Sequence, residues 1–156
     1  MESAGIPRTS LDRSLNPVVE TLNRRSDMIT GLQFSSGERL NVQNFGLGGI
    51  LDLHIDAPVR LNRNLYEDGW GARLATLQYN IEVAEFGGAT VFPVINFGYK
   101  PAQGDALLWY NLKSDGIVDM KTVHGECAVA FGNRWIANKW YRENGNFLRT
   151  SLRYYR

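Results

Sequence analysis

The stretch GGILDLHIDA, residues 48–57, decides how the fold is interpreted, because it sets a histidine and two aspartates into an apolar strand pattern. Side chains alternate between the two faces of a strand, so its apolar and polar members are predicted to lie on opposite faces. They are Leu51, Leu53 and Ile55 on one face and Asp52, His54 and Asp56 on the other. His54 and Asp56 then point the same way, roughly 7 Å apart along the strand. Both can reach one small ion.

The rest of the chain consists of short β-type runs separated by Gly, Pro and Asn, after one amphipathic segment at residues 15–29. That segment predicts an α-helix, with Ser14 before it and Gly31 at its end. One helix followed by many short strands predicts a mostly β protein, with the helix packed on a small sandwich or barrel of the jelly-roll type. The predicted strands are 40–45, 50–56, 74–81, 106–110, 127–131 and 135–140.

Length and composition favour a single domain, because 156 residues that are 44% hydrophobic can bury one core. We expect this domain at residues 14–150, after a flexible segment at 1–13 and before a tail at 151–156. Seventeen Lys and Arg against 16 Asp and Glu give a net charge of +1, which argues against a nucleic acid partner. No apolar run approaches the roughly 18 residues that a membrane span needs.

The second of the two histidines, His124, lies before the apolar run at 127–131. Two histidines and one carboxylate form the ligand set of non-haem Fe(II) oxygenases. Zinc could use the same three ligands and a water for hydrolysis, so the residues alone leave the metal open. Arg134, in GNRW at 132–135, is a candidate anchor for a carboxylate co-substrate, because guanidinium binds carboxylates through two hydrogen bonds.

Four motifs in order make the chain resemble a known family. They are GGATVFP at 87–93, WYNL at 109–112, GNRW after His124, and NKW at 138–140. Together they resemble the catalytic domain of prolyl 4-hydroxylases, the collagen-type α subunits above all, over about residues 16–147. The resemblance implies a double-stranded β-helix (jelly roll) that uses Fe(II), 2-oxoglutarate, O2 and L-ascorbate. The implied reaction hydroxylates peptidyl proline at C4, in procollagen-like or other proline-rich substrates, and releases succinate and CO2.

The resemblance also implies roles for individual residues, and none is catalytic beyond the metal site. The metal ligands are His54, Asp56 and His124; the 2-oxoglutarate residues are Arg134 and Thr90; the substrate residues are Arg73, Trp140 and Arg142.

Four positions depart from the family pattern. Arg134 replaces a lysine, Phe45 and Leu51 replace tyrosines, and Arg142 replaces a histidine. A hydrogen bond lost to a charged group costs about 1.5–3 kcal/mol. A second hypothesis is therefore a catalytically impaired pseudo-enzyme that binds a peptide or a partner protein.

The same resemblance implies the partners and the compartment. We expect a proline-rich peptide or protein substrate, a protein disulfide isomerase-type β subunit, and the lumen of the endoplasmic reticulum. The opening MESAGIPRTS has no apolar region of an export signal. A complete chain would therefore be cytoplasmic.

Overall fold

The computed structural model describes residues 6–12, 16–33, 37–57, 71–144 and 146. Ser14, the segment 58–70 and the tail at 151–156 lie outside these residues. Within the described ranges there are one α-helix, α1 (Pro17–Thr30), two short 3-10 turns (Pro93–Ile95 and Met120–Thr122), and eleven strands. The strands are β1 (Arg8–Leu11), β2 (Leu40–Phe45), β3 (Leu51–His54), β4 (Arg73–Glu82), β5 (Phe86–Gly87), β6 (Thr90–Phe92), β7 (Phe97–Tyr99), β8 (Ala106–Tyr110), β9 (His124–Glu126), β10 (Val129–Phe131) and β11 (Arg134–Arg142).

The strands form two principal antiparallel sheets whose inner faces meet. The larger sheet has the order β1-β2-β11-β4-β8 and the smaller has the order β3-β9-β6-β7, while β10 pairs with β5. Gln78 of β4 donates a hydrogen bond to Glu126 of β9, so side chains of the two sheets touch between them. This arrangement confirms the mostly β jelly roll with one helix.

Helix α1 covers the outer face of the larger sheet. It begins after Asn16 rather than Ser14, and the Asn16 side chain accepts a hydrogen bond from the Val18 N–H at 2.8 Å. It ends at Gly31, as predicted, where φ is 70°. Two apolar residues of the amphipathic segment at 15–29, Val18 and Ile29, do not belong to its buried face, since they are 72% and 80% exposed. The buried positions are Val19, Asn23, Ser26 and Thr30.

The polar buried side of α1 has a physical reason, because Ser26 forms a hydrogen bond with the Tyr79 hydroxyl of β4. Val19 packs on Leu40, Val42 and Ala137 of the larger sheet. The helix thus occupies the outer face and leaves the inner face to the site. No described helix has the length and apolar character needed to cross a membrane.

Two of the predicted strands, β2 and β8, have the predicted ends, while β4 and β11 extend further than predicted. Residues 8–11 of the expected flexible segment are instead the edge strand β1, paired with β2 through backbone bonds that need no apolar pattern. The strand predicted at 127–131 is wrong at its start, because half-buried Cys127 lies between β9 and β10. The strand predicted at 50–56 stops at His54. Strands β5 to β7 have two or three residues, too few for a recognisable alternation.

Gly87 and Gly88 begin the motif GGATVFP and both have positive φ, 79° and 63°. A Cβ on Gly87 would overlap the Ala128 carbonyl oxygen. Glycine is therefore required for β5 to approach β10 and for the chain to turn into β6, which carries Thr90.

Candidate active site

The three predicted metal ligands come together at one end of the space between the sheets. His54 of β3 lies opposite His124 of β9 in the strand register, and Asp56 follows on the bend after β3. One ligand atom from each residue lies within 4.8 Å of the other two. The Nε2 atoms of His54 and His124 are each 3.7 Å from an oxygen of Asp56. The arrangement can hold one ion.

Both imidazole rings are oriented by the backbone. The Nδ1 atom of His54 lies 2.8 Å from the Asp52 carbonyl oxygen, and that of His124 lies 2.8 Å from the Thr122 carbonyl oxygen. A carbonyl oxygen can only accept, so Nδ1 carries a proton in each ring, and Nε2 is the nitrogen that is left to bind a metal. This second hydrogen bond is the one that fixes the ring of a metal-binding histidine.

His124 is enclosed by aromatic side chains. It is 3% exposed, and its ring centroid lies 5.4 Å from that of Phe92 and 4.8 Å from that of Trp109. Burial lowers the pKa of His124 below its ordinary value, and the negative charge of Asp56 partly opposes this. The neutral form, which binds metals, is therefore favoured.

Two residues that the sequence did not indicate orient Asp56. The Thr76 hydroxyl donates to Asp56 Oδ2 at 2.7 Å, and Asn111 Nδ2 donates to Thr76 Oγ1 at 2.9 Å. Asp56 Oδ2 is thus engaged by a neutral donor and Oδ1 faces His54. Asn111 belongs to the WYNL motif, but only the pairing of β4 with β8 brings it to Thr76.

We expect Thr76→Val to weaken Fe(II) binding by roughly 10–100-fold, the usual cost of removing an outer hydrogen-bond partner of a metal ligand. Valine keeps the branched shape at this fully buried position, so the fold should persist. Anaerobic titration against a competing chelator measures the effect. Thr30→Val is the matched control, since Thr30 is also buried, at 6% against 0% exposed, and its hydroxyl bonds to the Ser26 carbonyl oxygen and the Leu32 N–H rather than to a metal ligand. Equal affinities in the two variants would contradict the role of Thr76.

Arg134 and Thr90, the predicted 2-oxoglutarate residues, also lie together. Arg134 is fully buried and donates to Thr90 Oγ1 at 2.9 Å and to Asn80 Oδ1 at 3.3 Å. Its Nη1 forms an ion pair with Glu126, which is 2% exposed. Glu126 also accepts from Thr90 at 2.8 Å and from Gln78 at 2.7 Å.

Glu126 was missed, although the sequence holds a signal for it. It stands two residues after His124 on the same strand and must share its face. Thr76, Gln78 and Asn80 share the inner face of β4 in the same way. Thr76 bonds Asp56 and Gln78 bonds Glu126. The Arg134 cluster, which is Arg134, Thr90 and Glu126, therefore lies about 7 Å along the strands from the metal cluster, by which we mean the three ligands His54, Asp56 and His124.

Phe45 lies beside the Arg134 cluster. Its ring centroid is 5.8 Å from the Arg134 guanidinium carbon, and it is 1% exposed. It supplies an apolar wall where the family pattern has a tyrosine, and so offers no hydroxyl donor to a co-substrate.

A groove of about 840 Å³ opens on the metal cluster and includes His54 and Asp56 in its lining. Arg73 and Trp140 also line it, with the Arg73 guanidinium carbon 3.8 Å from the Trp140 ring centroid. Glu38, which the sequence did not indicate, binds Arg73 at 2.6 and 2.8 Å and lies 2.8 Å from Arg142 Nε. The three predicted substrate residues thus gather around Glu38, and their role in binding stays a prediction.

The donor set fits one metal ion. The Nε2 nitrogens of two imidazoles and one carboxylate lie close together beside an open groove, as non-haem Fe(II) requires. A 2-oxoglutarate carboxylate fits less simply. Arg134 and Thr90 have the right chemistry, but the Glu126 carboxylate already holds both.

Comparisons with known proteins agree with this geometry. The family model of the 2OG-Fe(II) oxygenase superfamily matches residues 40–142. The chain is 40% identical to prolyl 4-hydroxylase subunit alpha-2 of Caenorhabditis elegans over 136 residues, 86% of this chain and 25% of that protein. It therefore spans about a quarter of the length of that relative.

Solved structures share the fold. A viral collagen prolyl hydroxylase from Paramecium bursaria Chlorella virus-1, in a 2-oxoglutarate complex, has a TM-score of 0.76 and 20% identity over 88% of this chain and 79% of that one. A Trichoplax adhaerens prolyl hydroxylase, in complex with a peptide fragment of the hypoxia inducible factor oxygen degradation domain, has a TM-score of 0.65 and 19% identity over 92% and 66%.

Proposed function

Because the chain belongs to the 2OG-Fe(II) oxygenase superfamily, we propose that it is a 2-oxoglutarate-dependent dioxygenase that hydroxylates peptidyl proline at C4. The observation that carries this function is the cluster of His54, Asp56 and His124, with both Nε2 atoms turned to one carboxylate. The 40% identity to a prolyl 4-hydroxylase subunit supports proline as the target.

His54, Asp56 and His124 would hold the iron. When bound, Fe(II) supplies the redox chemistry that couples decarboxylation of 2-oxoglutarate, to succinate and CO2, with transfer of one oxygen atom of O2 to the proline carbon. The Asp52 and Thr122 carbonyl oxygens keep the rings aimed, and Thr76 fixes the carboxylate. Phe92 and Trp109 exclude water from the buried side of His124. Zinc-dependent hydrolysis is the rival use of these ligands, and the iron content of protein purified without oxygen tests it.

We propose Arg134 and Thr90 as the anchor for the far carboxylate of 2-oxoglutarate. Arg134 is a buried cation that lies beside the metal cluster, two residues further along the strands. The Thr90 hydroxyl oxygen lies 2.9 Å from Arg134 Nη2. As the side chains stand, Glu126 fills the place beside them.

The groove beside His54 is the proposed peptide site. Arg73 and Trp140 form a flat cation-aromatic wall in it, which suits the ring of a proline and the carbonyl groups of an extended peptide. Arg142 would hold Glu38 and thereby the wall. The substrate class would be a proline-rich peptide or protein, procollagen-like in the collagen-type case.

Three further proposals rest on the resemblance to collagen-type prolyl 4-hydroxylases alone. They are L-ascorbate as a reductant of the iron, a protein disulfide isomerase-type β subunit as a partner, and residence in the endoplasmic reticulum lumen. The relative from Caenorhabditis elegans is itself named a subunit, which supports an assembly.

A second candidate function is a peptide-binding module with impaired catalysis. The occupied anchor favours it, because Glu126 already neutralises Arg134. Phe45 and Leu51, which lack hydroxyl groups, favour it too. Such a module would bind peptide with an affinity that 2-oxoglutarate does not change.

The deciding experiment incubates the protein with Fe(II), 2-oxoglutarate, ascorbate and proline-rich peptides. We expect peptide-dependent succinate, and mass spectrometry should find one added oxygen on proline. His54→Ala, which removes an iron ligand, is the control. Succinate no higher than in this control, together with a peptide affinity that is the same with and without 2-oxoglutarate, would instead support the binding module.

A further inference from the structure

We infer that Glu126 is an internal competitor of 2-oxoglutarate: its carboxylate occupies the position beside Arg134 and Thr90 that the far carboxylate of the co-substrate would take. The inference rests on the proposed function for the identity of the ligand. It assigns to Glu126 control over affinity for 2-oxo acids that carry a second carboxylate.

The hydrogen bonds of Arg134 leave no paired donors for a second carboxylate. Its Nη1 is engaged by Glu126, and its Nη2 donates to Thr90 and Asn80. Two-point recognition of a carboxylate needs two neighbouring N–H groups that point the same way. The Nε atom is buried without a hydrogen-bond partner among the described residues, and one N–H alone cannot replace the pair.

Thr90 is committed in the same way. Its hydroxyl accepts from Arg134 and lies 2.8 Å from Glu126 Oε2 and 3.1 Å from Gln78 Oε1. Its single proton is therefore directed to an acceptor within the cluster. Gln78 in turn holds the other oxygen of Glu126 at 2.7 Å. The donors that could bind an incoming carboxylate, on Arg134, Thr90 and Gln78, therefore already bind the carboxylate of Glu126.

The charges lead to the same conclusion. Arg134 and Glu126 are both fully buried and together are neutral. A co-substrate carboxylate that entered without displacing Glu126 would place two negative charges against one cation in a region of low dielectric constant, which is strongly unfavourable. The cluster therefore attracts a second carboxylate only when the Glu126 side chain moves aside or is removed.

A purely structural ion pair would make a different prediction about ligands, and two 2-oxo acids distinguish the readings. Both 2-oxoglutarate and pyruvate carry the 2-oxo acid group that chelates a metal, but only 2-oxoglutarate carries the far carboxylate. If Glu126 competes, the far carboxylate adds little affinity in the native chain. Removing Glu126 should then improve the binding of 2-oxoglutarate alone.

The first test is anaerobic calorimetric titration of the Fe(II)-loaded protein with each acid. We expect the native protein to bind the two acids with dissociation constants within about tenfold of each other. Glu126→Ala should bind 2-oxoglutarate at least about tenfold more tightly and pyruvate with unchanged affinity, because two charged hydrogen bonds become available. Native protein that prefers 2-oxoglutarate by far more than tenfold, with Glu126→Ala weakening it, would overturn the inference.

A second test needs no metal, so it separates this inference from the proposed function. Glu126→Ala leaves Arg134 without its carboxylate, and glutarate, a five-carbon dicarboxylate, should raise the melting temperature of the metal-free variant but not of the native protein. Glu126→Ser, which also empties the position but keeps a small polar side chain, serves if the alanine variant does not fold. Failure to bind iron or to form hydroxyproline would refute the proposed function only. Equal responses of native and variant protein to glutarate would refute the role of Glu126.

Discussion

Asp56→Ala is expected to abolish both iron binding and peptide-dependent succinate formation. Asp56 is the only carboxylate in the described metal cluster, and its oxygens face the Nε2 atoms of both histidines. Its removal leaves two neutral ligands, which hold Fe(II) far more weakly than two histidines and a carboxylate. The loss should exceed the roughly 10–100-fold that follows removal of an outer hydrogen-bond partner. Iron bound after anaerobic loading and desalting measures the effect, with succinate as the second readout.

Asp52→Ala is the matched control for this change. Asp52 is an exposed carboxylate on β3, and the atom that holds the His54 ring is its backbone carbonyl oxygen. We expect this variant to keep its iron. Iron retained by Asp56→Ala, or lost equally from Asp52→Ala, would show that the cluster is not the metal site.

The sequence could predict that the His54 and Asp56 side chains point to the same side of the chain, but it could not predict the packing around them. Alternation placed His54 and Asp56 on one side, and they do converge. Alternation also placed the apolar Leu53 on one face with Leu51 and Ile55, yet Leu53 is 58% exposed rather than packed in a core. The reason is that β3 is an edge strand whose register shifts between Leu51 and His54, so that only part of its surface meets the core.

The polar cluster escaped prediction for a different reason. Gln78 and Asn80 alternate with apolar residues on β4, a pattern that ordinarily marks a solvent-exposed face. Both side chains are 1% exposed, because the smaller sheet covers the inner face of β4 on which they lie. Helix α1 covers the opposite face. No local pattern distinguishes a polar residue in water from one in a buried network, since the partners come from distant strands.

The family motifs and the pairing of the strands account for different residues of the proposed 2-oxoglutarate site. Thr90 and Arg134 were implied by motifs, and the structure brings them together at 2.9 Å. Glu126 lies in none of those motifs, so the resemblance was silent about it. The contacts of Glu126 with Arg134 and Thr90 decide whether these two residues are available to a co-substrate carboxylate. Motif matching alone would therefore have described a co-substrate pocket in which Arg134 is an unpaired cation.

Arg134→Met is expected to cause the largest loss of stability among single changes at this site, about 3–5 kcal/mol in the free energy of unfolding. Removing one partner of a buried ion pair leaves the other charge without compensation, and Glu126 has no route to water at 2% exposure. Urea unfolding followed by circular dichroism measures the effect. Arg39→Met is the matched control, because Arg39 pairs with Asp12 at 3.3 Å but is 69% exposed. That variant should lose at most about 1 kcal/mol.

The double variant Arg134→Met with Glu126→Leu tests whether the unpaired charge is the cause. Two apolar side chains of similar volume remove both charges, and such replacements of buried ion pairs are often neutral or stabilising. Without Glu126, the Thr90 hydroxyl can donate its single proton to Gln78 Oε1, 3.1 Å away, so the polar groups left behind are not all unpaired. We therefore expect the double variant to regain most of the lost stability while lacking any cation for a carboxylate. A double variant as unstable as Arg134→Met would show that packing of the Arg134 side chain, rather than its charge balance with Glu126, holds this part of the core together.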